Sequence, residues 1–132
     1  RSSDLEMLQP GGYLAMFMTR SDEKSANEML YSKIQKVYDD YFQVKQRYTC
    51  KLNYVNASNY GFENYQYFEW KKKRILTSDE YISYISTSCE HITLEEPYKS
   101  LFYNGVKKAI CENDDNITIV DTIPLYIFQK PQ

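Results

Sequence analysis

Apolar residues recur along the chain with periods that predict a series of helices and strands. The end of a helix is predicted over residues 1–8, before Pro10 and two glycines stop it. The continuous apolar run 13–19 is typical of a strand covered on both faces, as in a parallel sheet. Apolar positions spaced four and three apart over 26–47 predict a long helix with one apolar stripe, and a coiled-coil seam is the alternative.

The middle of the chain combines turn signals with aromatic residues. A short helix is predicted over 55–60 and ends at Gly61. Residues 65–76 are rich in Tyr, Phe, Trp and Ile and predict a strand. Its basic run, 71–74, favours a place at the edge of a sheet, where charge discourages pairing with another chain. The same run beside Trp70 is the only candidate for a nucleic-acid patch, and edge protection is the preferred interpretation.

The last third of the chain has two patterns typical of helix starts. Thr77 with Glu80, and Thr93 with Glu96, have the spacing of capping boxes, which predict helices over 78–88 and 94–112. Residues 117–128 are apolar at both alternating sets of positions, which predicts a buried strand. Since helices and strands alternate along the chain, the sequence predicts an α/β layer fold.

Composition and charge narrow the classes of function. The 132 residues fit one domain or part of one, and the net charge of −2 gives no electrostatic reason to expect nucleic acid or an anionic membrane as partner. Three scattered cysteines do not form a disulfide framework, so a reduced, cytoplasmic setting is expected. With one histidine, no metal site is expected. The start at Arg1 suggests a truncated or processed parent.

Several short motifs, in the same order over nearly the whole chain, resemble class I S-adenosylmethionine-dependent methyltransferases. Residues 8–14, LQPGGYL, resemble the LxPGGxL turn that leads into the fifth strand of that family. Residues 59–62, NYGF, look like the entry to its sixth strand. Residues 78–87, 96–100 and 121–126 are similar to segments of the bacterial methyltransferase type 11 group.

The resemblance implies a partial Rossmann-like sheet with helices on its faces. The family's strand order is 3-2-1-4-5-7-6, with strand seven antiparallel to the rest. Residues 13–19, 65–76 and 117–128 would be strands five, six and seven, and strand seven would lie between the other two. Pro124 cannot donate a ladder hydrogen bond, so a bulge or a gap is expected there. The whole chain, 1–132, would be the C-terminal, acceptor-side part of a methyltransferase domain.

The cofactor that the resemblance implies is S-adenosylmethionine, bound by the parent protein. The family holds it with a glycine-rich loop after strand one and an acid after strand two. The four glycines of this chain form no such cluster, so no cofactor-binding residue is assigned here and the segment alone is expected to be inactive.

Four residues are candidates for the acceptor site. Arg20 follows strand five, where ligands of open α/β sheets bind, and is a candidate clamp for an anionic acceptor; an exposed loop arginine is the alternative. His91, beside Glu90 in the predicted loop between two helices, is the candidate base, against a merely solvated histidine. Tyr81 and Tyr84 either line the acceptor pocket or pack their helix.

The two helices between strands six and seven are one more than a simple crossing needs. Residues 78–112 are therefore interpreted as a helical lid, with Tyr81, Tyr84 and His91 facing Arg20. The alternative is that both helices only cover the sheet.

Two functions follow from the sequence. The first is part of a methyltransferase that modifies a small-molecule acceptor. The second is a non-catalytic interaction or oligomerisation domain derived from that fold. An unpaired edge of strand five predicts either a homo-oligomer or pairing with the missing N-terminal half.

Overall fold

The computed structural model describes the backbone of residues 2–45 and 53–132, and the side chains from Asp4 onward within these ranges. The fold is a mixed α/β structure with helices and one open, antiparallel, four-stranded sheet, so the predicted α/β class is confirmed. The elements in chain order are α1 (Ser2–Met7), β1 (Tyr13–Phe17), β2 (Arg20–Asp22), α2 (Glu28–Tyr41), a 3₁₀ helix (Tyr54–Tyr60), β3 (Glu63–Leu76), α3 (Ser78–Ser86), α4 (Cys89–Ile92), α5 (Tyr98–Cys111) and β4 (Ile117–Gln129).

Strand β4 pairs with each of the other strands. Its antiparallel register with β1 places Tyr13 opposite Gln129 and Phe17 opposite Leu125. The rings of β3 stack along the same stretch, since Tyr65 lies 5.0 Å from Phe128 between centroids. A strand has only two edges, so β1 and β3 flank β4. The expected place of the last strand between the other two agrees with this order.

Pro124 explains why the edge opposite β3 is divided into two strands. Extending the register one residue past Phe17 and Leu125 places Met18 opposite Pro124. Proline has no N–H to donate, and the pairing stops there, between the end of β1 and the start of β2. The strand predicted over 13–19 therefore ends at Phe17, two residues early, and the gap expected at Pro124 is present.

The chain forms two compact units, and β3 and β4 each contribute residues to both. The first unit comprises residues 1–20, 50–72 and 122–132. Phe62, Tyr126 and Phe128 form its buried core, with side chains of α1, β1 and the 3₁₀ helix packed against them. Gly61 ends the 3₁₀ helix in the left-handed conformation, as its place in the sequence predicted.

The second unit comprises residues 21–49 and 73–121. Its core is formed by the apolar faces of α2, α3 and α5 packed against the first residues of β4. Ile117 and Ile119 are buried there, and no residue of β4 is exposed, which confirms the prediction of a buried strand. The predicted stripe of α2 supplies Leu30 and Ile34 to this core.

One face of β1 departs from the prediction of a strand covered on both faces. Tyr13, Ala15 and Phe17 are exposed, whereas Leu14 and Met16 pack against the core of the first unit. A run of apolar residues shows that each face is apolar but does not show what covers it. The exposed face of β1 is thus uncovered within the described part of the chain.

The helix bounds differ from the predictions at two places and agree with them at the start of α3. Helix α2 ends at Tyr41, short of the predicted 47, and the last predicted residues lie outside the described ones. Helix α3 starts with the predicted capping box, in which Glu80 N–H donates to Thr77 and Thr77 N–H donates to Glu80. The helix predicted over 94–112 starts four residues later, as α5, and the short helix α4 lies in the predicted loop before it.

Candidate functional site

A polar network around Asp121 lies among the apolar side chains of the second unit. Asp121 is 5% exposed and receives two hydrogen bonds from Arg74, through Nε to Oδ2 and through Nη2 to Oδ1, the second at 3.0 Å. This carboxylate raises the pKa of Arg74 above its ordinary value, because the bonds favour the charged guanidinium. The pair satisfies a buried charge on a strand that is otherwise apolar.

Ser21 and Tyr84 extend the network. Ser21 Oγ donates to Asp121 Oδ1 at 2.8 Å and lies 3.1 Å from the Tyr84 hydroxyl. A serine hydroxyl has a single proton, so Tyr84 is the donor in the second bond. The Arg74 guanidinium also lies 4.8 Å from the centroid of the Tyr84 ring, a distance typical of a cation–π contact. Tyr84 is thus held by both its hydroxyl and its ring.

Glu23 lies two residues after Ser21 and is half-buried in the same unit. Burial raises the pKa of its carboxyl, and the neighbouring charges of Asp22 and Asp121 act in the same direction. Burial, and then the charge of Glu23, in turn raise the pKa of Tyr81 above its ordinary value. A carboxyl group placed in this way is suited to exchange a proton closer to neutral pH than an exposed glutamate.

Replacing Glu23 by glutamine is expected to stabilise the protein at pH 7. The pKa of this carboxyl is higher in the folded state than in the unfolded state. The protonated carboxyl therefore stabilises the fold fully below the unfolded-state pKa. This stabilisation is lost as pH rises through the folded-state pKa. Glutamine resembles the protonated form and removes the cost of the buried charge. The gain should disappear as pH falls toward the ordinary carboxyl pKa of 4.5.

Urea unfolding at several pH values tests this expectation, with Glu95→Gln as the matched control. Glu95 is exposed and pairs with Lys45 at 3.6 Å. Its substitution should change the free energy of unfolding little at any pH. A destabilised Glu23→Gln variant at pH 7, or a gain that is independent of pH, would show that the charged form of Glu23 is not costly to the fold.

His91 lies at the centre of a second hydrogen-bonded group. It is 8% exposed, its Nε2 lies 2.7 Å from the Tyr38 hydroxyl, and its Nδ1 lies 2.8 Å from Ser88 Oγ. Burial lowers the pKa of His91, although the charge of Glu90 opposes this, and burial raises the pKa of Tyr38. Both groups are therefore neutral at pH 7. One ring nitrogen of His91 donates and the other accepts, which leaves no ring nitrogen free for a ligand.

Two surface pockets of the second unit lie beside different residues, and only one of them is lined by a partner of His91. A pocket of about 140 Å³ is lined by Tyr38 together with Gln35, Asp39, Phe42 and Glu90, so it opens beside the His91 group. A pocket of about 320 Å³ is lined by four exposed polar residues, Asp22, Lys24, Ser25 and Glu28. Neither pocket is lined by Arg20, Tyr81 or Tyr84.

The structure places the four predicted site residues in three different settings. Arg20 begins β2 and belongs to the first unit, where its Nη2 donates to the Tyr126 hydroxyl at 3.1 Å. Tyr81 is a buried core residue, and its ring centroid lies 6.2 Å from that of the half-exposed Tyr84. His91 lies in α4 and is buried, so the prediction of a loop histidine is wrong.

The packing of the helices in residues 78–112 also bears on their interpretation as a lid. Helices α3 and α5 supply much of the buried core of the second unit, including Ile85, Phe102 and Ile110. A movement of these helices as a lid would therefore open that core.

The network around Asp121 was not predicted from the sequence. An acid inside the otherwise apolar run 117–128 was the available signal, because a buried carboxylate needs a partner. Arg74 was read only as the end of a basic run that protects a sheet edge. Its partner is 47 positions away, and only the pairing of β3 with β4 brings the two together.

The glycines offer no cradle for a nucleotide cofactor. A Cβ atom added at Gly12 would lie 2.8 Å from the Gln9 carbonyl oxygen, and one at Gly105 would lie 2.8 Å from Val37 Cγ1. At Gly11 and Gly61 the nearest atoms are side chains of Gln132 and Leu5. Each glycine thus accommodates the chain itself, so the glycines do not form the loop that the family uses to hold S-adenosylmethionine.

Within residues 2–45 and 53–132, no group of three or more His, Cys, Asp or Glu side chains is placed to hold a metal ion. None of the helices in these ranges is long and apolar enough to cross a membrane. Cys89 and Cys111 are exposed free thiols, and Cys50 lies outside the described residues.

No protein-family model matches the sequence, and no curated protein matches it.

Proposed function

We propose that the chain is the acceptor-side half of an S-adenosylmethionine-dependent methyltransferase that modifies a small molecule. The observation that carries the proposal is the strand order, in which β4 lies between β1 and β3 and runs antiparallel to them. The motif resemblance required this order for strands five, seven and six. The agreement between the expected and the observed strand order supports the proposal.

Within this proposal Glu23 is the group best suited to accept a proton from the acceptor. It directly follows β2, and burial raises its pKa. Tyr84 lies nearby as a half-exposed hydroxyl held by Ser21. His91 is less suited to this role than the sequence suggested, because both ring nitrogens are already bonded.

The cofactor would be bound by residues outside this chain, since the glycines here do not fit it. The chain would then contribute the wall of the acceptor pocket and the group that accepts the proton. When bound, the cofactor supplies the methyl group.

Calorimetric titration with S-adenosylhomocysteine tests the proposal on two proteins: the 132-residue chain and the complete product of the gene that encodes it. The chain alone should bind more weakly than about 1 mM, and the complete product should bind in the micromolar range. Micromolar binding by the chain alone would contradict the absence of a cofactor site here. No binding by the complete product would contradict the methyltransferase proposal itself.

A non-catalytic interaction domain is the second candidate, and a different observation favours it. The exposed face of β1 carries Tyr13, Ala15 and Phe17, and β3 carries exposed aromatic side chains. Uncovered apolar surface of this kind is typical of interaction sites.

A further inference from the structure

The hydrogen bonds around Asp121 run in one direction. Asp121 is a buried carboxylate paired with Arg74, so its oxygens only accept, and both Arg74 and Ser21 donate to them. The single proton of the Ser21 hydroxyl is used in its 2.8 Å bond to Asp121. Ser21 Oγ therefore accepts in its 3.1 Å contact with Tyr84, and the proton of the Tyr84 hydroxyl points toward Ser21.

This direction leaves the Tyr84 oxygen as an acceptor for a ligand. A phenolic hydroxyl has one proton, and it accepts through the lone pairs of its oxygen. The proton is directed at Ser21, so the oxygen can accept a hydrogen bond from a ligand but cannot donate one. Tyr84 is 37% exposed, and the bond between the two hydroxyls lies at the surface. A ligand in solution can therefore reach this oxygen.

Tyr84 is also oriented before any ligand binds. The Arg74 guanidinium lies 4.8 Å from the centroid of its ring. The ring of Tyr81, a buried residue of the core, lies 6.2 Å away between centroids. A side chain that is already held in its binding conformation loses little conformational entropy when a ligand binds. The Tyr84 oxygen is thus a preorganised acceptor.

The charges around the network favour a cationic ligand over an anionic one. The positive charge of Arg74 is balanced by its bonds to Asp121. Glu23 adds a further carboxyl close to this pair. Burial raises the pKa of Glu23, the charge of Asp121 raises it further, and the charge of Arg74 lowers it. Lys24 pairs with Glu28 at 3.8 Å, on the exposed surface of the unit.

We propose that the Tyr84 oxygen binds an N–H donor and that the ligand of this site is an amine. A protonated amine has only donors, so it matches an oriented acceptor beside a carboxyl group. A carboxylate has only acceptors, so it would meet the lone pair of Tyr84 without a proton between them. The inference rests on the proposed function only in taking this ligand to be the methyl acceptor, which would then be an amine.

Titration of the 132-residue chain with n-butylammonium and n-butyrate, followed by nuclear magnetic resonance, tests the proposal. The wild type should bind n-butylammonium at least about tenfold more tightly than n-butyrate. Tyr84→Phe keeps the ring and removes the oxygen, so it should weaken n-butylammonium binding at least about fivefold. Tyr98→Phe is the matched control, because Tyr98 is 43% exposed in α5 and should not affect binding. The net charge of −2 attracts any cation, so the difference between these two variants is the decisive measurement.

Ser21→Ala tests the direction of the hydrogen bonds. Without its acceptor, the Tyr84 proton can turn to a ligand, so the preference for n-butylammonium over n-butyrate should fall at least about threefold. Ser21 is exposed and Asp121 keeps both bonds from Arg74, so the fold should be retained, as circular dichroism can check.

Three results would overturn the inference. They are an unchanged preference in Ser21→Ala, equal weakening by the Tyr84 and Tyr98 variants, and no binding of n-butylammonium by the wild type at about 50 mM. The titration of the complete gene product with S-adenosylhomocysteine is a separate measurement. Its failure would contradict the methyltransferase proposal, whereas failure of the amine titration alone would contradict only the class of acceptor.

Discussion

Replacing Asp121 by asparagine is expected to lower the free energy of unfolding by about 3 kcal/mol, because it leaves the Arg74 charge without its partner. The amide retains the shape of the carboxylate but not its charge, and Ser21 also loses its charged acceptor. Breaking a buried pair costs about 3–5 kcal/mol. The Arg74 side chain is 29% exposed, so water replaces part of the loss and the lower end of that range is expected.

The matched control is Asp79→Asn, which breaks an ion pair on the surface. Asp79 Oδ1 lies 2.6 Å from Lys107 Nζ, a close contact, but both side chains are largely exposed. Exposed pairs contribute about 0–1 kcal/mol, so this variant should unfold almost as the wild type does. Urea unfolding followed by circular dichroism measures both variants, and a double-mutant cycle with Arg74→Gln isolates the coupling. Equal effects of Asp121→Asn and Asp79→Asn, or a coupling near zero, would show that the Asp121 network does not stabilise the fold.

The helix starts show how far local sequence signals determine structure. Thr77 and Glu80 form the predicted capping box because both partners lie within one turn and need nothing else. Thr93 and Glu96 have the same spacing, but Thr93 ends α4 and Glu96 accepts hydrogen bonds from Ser100. Pro97, at the start of α5, lacks an N–H, so the chain turns once more before the helix begins. The spacing of Thr93 and Glu96 alone does not indicate this effect of Pro97.

The strands also show what sequence patterns do and do not predict. The period of apolar residues predicted every strand except β2, which has only three exposed residues, Arg20–Asp22, and pairs with β4. Periodicity also predicted that β4 is buried, since both of its faces are apolar. It did not predict that one face of β1 is open, because burial of that face depends on which element covers it.

The candidate site was the least predictable part because its residues are far apart in sequence. Ser21 and Asp121 are separated by 100 positions and meet through the pairing of β2 with β4. Tyr84 remains a candidate residue of the acceptor pocket, and its partners depend on where α3 packs. His91 is a candidate because it is the only histidine and lies beside Glu90, and neither feature contains information about burial.

Replacing Phe102 by alanine is expected to lower the free energy of unfolding by about 3–5 kcal/mol, because it leaves a cavity in the core of the second unit. Phe102 is 0% exposed. Its ring centroid lies 4.7 Å from that of Tyr38, 5.1 Å from Phe42 and 5.6 Å from His91. These rings come from α2 and α4, so they have no common backbone that would let the site collapse around a smaller residue.

Leu101→Ala is the matched control, since Leu101 precedes Phe102 in α5 and is exposed. Its truncation should cost well under half as much, because Leu101 is already 44% exposed to water. Urea unfolding gives both values, and near-ultraviolet circular dichroism of Phe102→Ala should show a weakened aromatic signal. If Phe102→Ala is as stable as Leu101→Ala, the rings do not form the packed cluster described. If Phe102→Ala is strongly destabilised, the hydrogen bonds of His91 to Tyr38 and Ser88 depend on this packing. Loss of activity in a His91 variant must then be separated from loss of folding before His91 is assigned a chemical role.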